Sequence, residues 1–362
     1  MAIAPKSSPH IKAATLADVG REAGVSAMAA SAVLNGARTT ARISQETRDR
    51  VLAAAERLRY RPDETARALV SRRTNSIGIV ATLMGSEPNL YFLEVFNGVL
   101  QGAAAAGQNT TVFTLGGWDE AAQRIARFCD GRVDGLILLA PMLQDDPTAW
   151  LPPHTPVVSI HSNHHIAGVV NLESDEEGGA FEAVSRLLAL GHRRILHVGG
   201  PLDSTGADRR LQGYLRAHES AGVAPLHGHV VRGAYTFESG RSAMASWLLD
   251  HRGEELPQAV FAGSDAIALG CIDTLAQRGL RVPDDVSVVG FDYTLLARTS
   301  RLATVRQPLQ QLGREATETL LSLIEARQAG GTSSAPRNIV LPTETVTGAT
   351  LAAPRSAPRS IA

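Results

Sequence analysis

The sequence predicts an α/β protein: a small three-helix head, then a larger two-lobed domain built on parallel, doubly wound sheets. Three observations predict it. Residues 14–60 show only helical apolar spacing, and Pro62 closes the run. From Ser76 onward, short apolar runs alternate with helical stretches, as in parallel sheets covered by helices on both faces. Charge divides at the same place: residues 1–75 hold 13 Lys and Arg against 7 Asp and Glu, the remainder 22 against 29, although the 362-residue chain sums to −1. The chain is too long for one ordinary core, so two or three domains are expected.

The head is the stretch around which the rest is organised. Thr15 is an N-cap with Asp18 three residues on, where a short acid meets free backbone N–H groups. Leu16, Val19 and Ala23 follow at helical spacing, and Gly24 breaks the helix. Ser26 caps a second helix whose buried face is Ala30, Val33 and Leu34, and Asn35-Gly36 ends it. Two short helices joined by a tight glycine turn form a helix-turn-helix. The second is thin enough for a DNA major groove, with Ala27 and Met28 at its base-facing start. Arg42–Tyr60 reads as a third helix, capped by Ser44, with Val51, Ala54, Ala55 and Leu58 on one face. A basic head on an acidic body suits a polyanion partner for the head alone. A plain helical hairpin with a solvated charged surface is the other reading of the same pattern.

In the larger domain, strands are expected at Ser76–Leu83, Asn109–Leu115, Gly135–Ala140, Pro156–His161, Gly168–Leu172, Arg194–Gly199, His229–Arg232, Ala259–Ala262 and Ser287–Phe291. Helices are expected at Glu94–Gly107, Glu120–Asp130, Gly179–Leu190, Leu211–Ala221, Ser239–Leu249 and Asp265–Arg278. These are too many strands for one comfortable sheet, hence two lobes. No run of 18 apolar residues is present, which excludes a transmembrane helix, and no apolar signal core follows the N-terminus, so a cytoplasmic protein without a membrane partner is expected. Cys129 and Cys271 read as free buried thiols. None of G-x-S-x-G, G-x-x-x-x-G-K or G-x-G-x-x-G occurs, so no enzyme is expected. His161, His164 and His165 lack a matching carboxylate or cysteine set, so neither metal nor cofactor is expected.

In order, T-L-x-D-V, A-G-V-S, V-L-N-G, L-x-Y-x-P and A-R-x-L resemble the LacI/GalR family of bacterial transcription regulators. The resemblance implies a helix-turn-helix head (14–61), a mobile arm (1–13), a hinge helix within 62–75 and an effector-binding domain (76–351) of the type I periplasmic-binding-protein fold. The lobes would be 76–174 with 305–331, and 175–304 with 332–351, crossing near Ser174, Thr304 and Gly331. Residues 352–362 read as a disordered tail.

The resemblance also implies a homodimer on a pseudo-palindromic operator in double-stranded DNA, and a small-molecule effector, a sugar or other metabolite, in the interlobe cleft. DNA contacts fall to Thr15, Ser26, Ala27, Met28, Ser31 and Asn35, to Arg38 in the Arg- and Thr-rich loop, and to Arg67 and Leu69 of the hinge. An eight-residue hinge is too short to be a stable helix alone, and an apolar wedge such as Leu69 can kink a base step. The family's T-V-S-R is Ala29-Ala30-Ser31-Ala32 here. Either apolar contacts and DNA shape supply specificity, or the head binds weakly. Effector contacts fall to Tyr91 and Phe92, Asp175, Arg210 in R-L-Q-G-Y, Tyr235, Ser264 and Asp292 in G-F-D. A guanidinium, carboxylates and an aromatic face suit a polyol. On spacing alone Arg210 also fits a surface ion pair, Asp175 and Asp292 helix caps, and Tyr235 a core position. A small-molecule-binding protein without DNA regulation is the alternative function.

Overall fold

The computed structural model describes residues 14–35, 43–61, 68, 73–82, 89–143, 150–202, 204–331, 338–356 and 359–361. The chain divides into two compact units, Met1–Thr74 and Asn75–Ala362. The arm 1–13, Arg38 and the hinge residues Arg67 and Leu69 lie outside the described residues.

The first unit holds α1 (Leu16–Ala23), α2 (Ala27–Asn35) and α3 (Gln45–Arg57). Thr15 Oγ1 accepts the Asp18 N–H at 3.3 Å, and the Asp18 carboxylate accepts the Thr15 N–H at 3.0 Å. This reciprocal cap satisfies two donors that a helix start leaves open. The backbone and side-chain hydrogen bonds to Thr15 hold the Asp18 carboxyl below its usual value. Gly24 ends α1 in the left-handed region at φ 68°. A Cβ on Gly20 would lie 2.8 Å from the Val25 carbonyl oxygen, so the turn closes only over a glycine. Val19, Ala23, Ala30, Val33, Val51, Ala54 and Ala55 form the core, and Arg57 reaches Glu22 at 3.2 Å.

The second unit runs β1 (Ser76–Thr82), α4 (Leu90–Ala105), β2 (Asn109–Leu115), α5 (Ala121–Phe128), β3 (Gly135–Leu139), β4 (Val157–Ile160) and β5 (Val170–Ser174). It continues with α6 (Glu176–Ala189), β6 (Ile195–Gly199), α7 (Thr205–Ser220), β7 (Val230–Arg232), α8 (Phe237–Asp250), β8 (Ala259–Ala262), α9 (Asp265–Gln277), β9 (Ser287–Val289) and α10 (Leu295–Ser300). It returns through β10 (Thr304–Arg306), α11 (Leu309–Gln328), β11 (Asn338–Leu341) and β12 (Glu344–Val346). One lobe is built on the parallel sheet β11-β5-β4-β3-β1-β2, the other on the parallel sheet β7-β6-β8-β9. β10 and β12 pair antiparallel.

Each sheet is buried on both faces because successive side chains point to opposite sides. In the second lobe Leu196, Val198, Val260 and Ala262 pack under α8 and α9, while Ile195, Ala259 and Phe261 pack under α6 and α7. In the first, Ile77, Ile79, Ile137 and Leu139 face α4 and α11, whereas Val80, Leu136 and Leu138 face α5. Cys129 and Cys271 are free and buried, in different lobes.

Three expectations need correction. The expected boundaries put segment 338–341 in the second lobe, but β11 pairs with β5, so it belongs to the first-lobe sheet and the chain crosses between Leu341 and Glu344 rather than near Gly331. The tail is ordered where it is described. Ile361 joins the second-lobe core, Arg355 and Arg359 reach the Asp285 carboxylate at 2.5 and 3.0 Å, and His192 Nε2 lies 2.8 Å from the Ala352 carbonyl. A buried acid needs counter-charge, and the tail arginines supply it. Finally, spacing assigned no element to 309–328, where the structure has a 20-residue helix whose Leu309, Leu312, Ala316, Leu320 and Ile324 are buried.

Candidate functional site

The site forms where strands of both lobes end, the place where open α/β sheets bind ligands. Arg210, on the inner face of α7, is 5% exposed. Its Nη2 donates to Glu176 Oε1 at 2.7 Å, its Nη1 donates to the Gly263 carbonyl, and Nη1 stands 3.8 Å from Asp292 Oδ1. The guanidinium carbon lies 4.2 Å from the Phe291 ring centre and 5.2 Å from that of Tyr235. Tyr235 covers Gly200, where any Cβ would collide with its ring. Arg209 adds a second layer, reaching Glu173 at 2.9 Å and Glu176 at 3.8 Å.

A relay of hydrogen bonds runs from Asp292 into the other lobe. Gln307 Nε2, just past β10, donates to Asp292 Oδ1 at 2.7 Å, and the Ser174 hydroxyl at the end of β5 donates to Gln307 Oε1. The Ser174 N–H donates to His161 Nε2 at 3.0 Å, and His161 Nδ1 lies 2.5 Å from the Tyr91 hydroxyl. With Nε2 accepting, the neutral ring carries its proton on Nδ1 and gives it to Tyr91. The relay thus joins side chains of both lobes through the two crossing strands β5 and β10. His161 and Asp292 sit at φ 51° and 115°, so the strand ends that aim them are held out of the usual backbone regions.

Burial dominates the protonation of this cluster. It pushes the Asp292 carboxyl up to about 8, despite the pull of Arg210. It pushes His161 down, which keeps the ring neutral. Burial would also raise Glu176, but the charge and hydrogen bond of Arg210, with Arg209 behind it, outweigh burial and hold this carboxyl below its usual value. Burial pushes Asp265 up to about 6, although Thr304 Oγ1, Thr294 N and Thr294 Oγ1 donate to it at 2.6, 2.7 and 3.0 Å.

Of the expected effector residues, Arg210, Tyr235 and Asp292 come together, and Tyr91 joins them through His161. Asp175 does not. Its exposed side chain caps α6 by accepting the Gly178 N–H at 2.8 Å. Ser264 caps α9 through the Ile267 N–H, and Phe92 stacks on Phe96. Glu176, His161, Ser174 and Gln307 were not proposed as effector contacts. Their one sequence signal is position, each at a strand end or in the turn after one.

In the head, Thr15 and Ser26 are occupied as helix caps, and Ser31 Oγ accepts from Asn35 Nδ2 at 3.0 Å. Ala27 and Met28 remain open, and Met28 is 82% exposed, unusual for a methionine and consistent with an apolar reading surface. Among the described residues no group of three or more His, Cys, Asp or Glu could hold a metal ion, and no helix is long and apolar enough to cross a membrane.

Residues 15–63 match the model of bacterial regulatory proteins of the lacI family, and residues 184–351 match a periplasmic binding protein-like domain. The catabolite control protein A of Priestia megaterium is 32% identical over 84% of this chain and 91% of its own length. The ribose operon repressor of Haemophilus influenzae is 33% identical over 86% of this chain and 92% of its own. Among solved structures, a Lac repressor dimer bound to operator and an anti-inducer aligns with a TM-score of 0.79 at 26% identity, covering 94% of this chain and 99% of that one. A complex of the regulator CelR with cellobiose aligns at 0.66 and 29% identity, over 93% and 99%.

Proposed function

Because this chain belongs to the LacI family of bacterial regulatory proteins, we infer that it is a ligand-responsive, sequence-specific DNA-binding repressor of genes for sugar or other small-metabolite use. Two heads of a homodimer read a pseudo-palindromic operator, since protein symmetry must be mirrored in the DNA. The regulator works in the cytoplasm, where the operator is. The effector enters the cleft around Arg210 and Asp292, and the segment 62–75 carries the consequence to the heads. Base contacts fall to Ala27 and Met28, and Arg38, Arg67 and Leu69 extend the interface.

The single observation that supports this reading is the relay from Asp292 through Gln307, Ser174 and His161 to Tyr91. It ties both lobes through the crossing strands, so a ligand that rearranges Asp292 and Arg210 changes the lobes' preferred angle. A ligand alters an equilibrium only through such differential contacts. Gel shifts with genomic fragments test it. The expected outcome is tight binding to a few fragments that weakens with added salt as phosphate contacts are screened. Uniformly weak binding to every fragment would leave the solute-binding alternative standing.

A further inference from the structure

The cleft already holds counter-ions for its arginines, and we propose that Glu176 selects an uncharged, hydroxyl-bearing effector over a phosphorylated or carboxylated one. The proposal takes from the regulatory reading only that the cleft is the ligand site. A buried anion site needs a guanidinium with charge and donors to spare. Arg210 has neither in its fork. Nη2 is taken by Glu176 at 2.7 Å, and Nη1 is shared between the Gly263 carbonyl and Asp292. Arg209 is drawn off by Glu173 at 2.9 Å. Two guanidinium groups therefore face three acids, Glu173, Glu176 and Asp292, all buried. A phosphate or carboxylate placed beside Arg210 would meet the ionised Glu176 in a poorly screened setting, where like charges repel most strongly.

The groups left over suit a hydroxyl. Among the described residues, Arg210 Nε is buried without a hydrogen-bond partner, and the Tyr235 hydroxyl lies beside the Ser204 side chain. A buried N–H left open at the cleft suits an acceptor on a ligand. The Glu176 carboxylate retains lone pairs for ligand O–H donors, and the Asp292 carboxyl can both donate and accept. The partly exposed Tyr235 ring offers a face for C–H groups. A hydroxyl both donates and accepts, and it brings no charge for Glu176 to repel.

Calorimetry on the full chain with inorganic phosphate tests this through Glu176→Gln, which keeps the shape and frees Arg210. The variant is expected to bind phosphate about tenfold or more tightly than the wild type, a change of roughly one decade in the dissociation constant. Glu177→Gln, at the exposed neighbour that pairs with Arg216, is expected to match the wild type. Phosphate bound by the basic head is common to all three proteins, so the difference from the wild type reads the cleft alone. Equal phosphate binding by Glu176→Gln and wild type would overturn the proposal. A second measurement needs no variant: thermal shifts of the wild type with glucose and glucose 6-phosphate, ribose and ribose 5-phosphate, adenosine and AMP. A phosphorylated member that stabilises more than its parent would overturn it; parents that match or exceed their phosphates uphold it. Neither result touches the gel-shift outcome, so the two readings can fail separately.

Discussion

Among single side chains, Arg210 is the hub, because removing it strands the buried Glu176 carboxylate and leaves the Gly263 carbonyl without its donor. Breaking a buried pair from one side costs about 3–5 kcal/mol through the charge left behind. Arg210→Ala is therefore expected to lower the urea-unfolding free energy by that order and to abolish the ligand response of operator binding. Wild-type stability in this variant would mean that water already compensates Glu176. Asp292 sets a pH dependence. Its carboxyl is pushed from 3.8 up to about 8, so the folded state holds this proton more tightly than the unfolded chain does. Its contribution to stability is complete below the usual carboxylate range and is lost as pH rises through about 8. Melting temperatures from pH 4 to 8 should fall more steeply for the wild type than for Asp292→Asn, and parallel curves would contradict this. Arg210 and Asp292 were readable in the sequence because each lies in a short motif. Glu176 was not, since Asp175 and Glu176 are adjacent acids after one strand and only the backbone decides which turns inward. His161 was weighed only as a metal ligand, and its neutral, hydrogen-bonding role depends on Tyr91, 70 positions away.

At the level of helices and strands, most of the alternating pattern could be read directly, because each central strand is an apolar run buried on two faces. Gly135–Leu139 and Ala259–Ala262 fall where their composition places them. What could not be read was order across the sheets. That β11 adds to β5, and not to the second lobe, depends on pairing between segments more than 160 residues apart. Helix α11 has regular apolar spacing, but its apolar positions are separated by many charged and polar residues, so the run does not stand out as the strands do. Its approach to α4 relies on glycines: a Cβ on Gly98 would stand 2.1 Å from the Gln310 carbonyl oxygen. The tail misled for the opposite reason, since its Pro, Ala, Ser and Arg composition suggests a loose end. Deleting residues 352–362 uncovers the site of Ile361 and strips Arg355 and Arg359 from Asp285. The expected loss is at least about 1.5–3 kcal/mol from the isoleucine alone. An unchanged urea midpoint would show that the strap contributes nothing.

For the protein as one machine, the claim on which the rest depends is that cleft occupancy and the grip on DNA draw on the same free energy. Both sites must bias one two-state arrangement of the lobes, and the relay through Ser174 and Gln307 is where the lobes are joined. The most direct measurement is operator affinity of the full chain, titrated without ligand and again with a ligand shown by calorimetry to saturate the cleft. The expected result is a change of about 5–150-fold in affinity, with the ligand's own affinity changing by the same factor when operator is present. A ligand that fills the cleft and leaves operator affinity unchanged would contradict it.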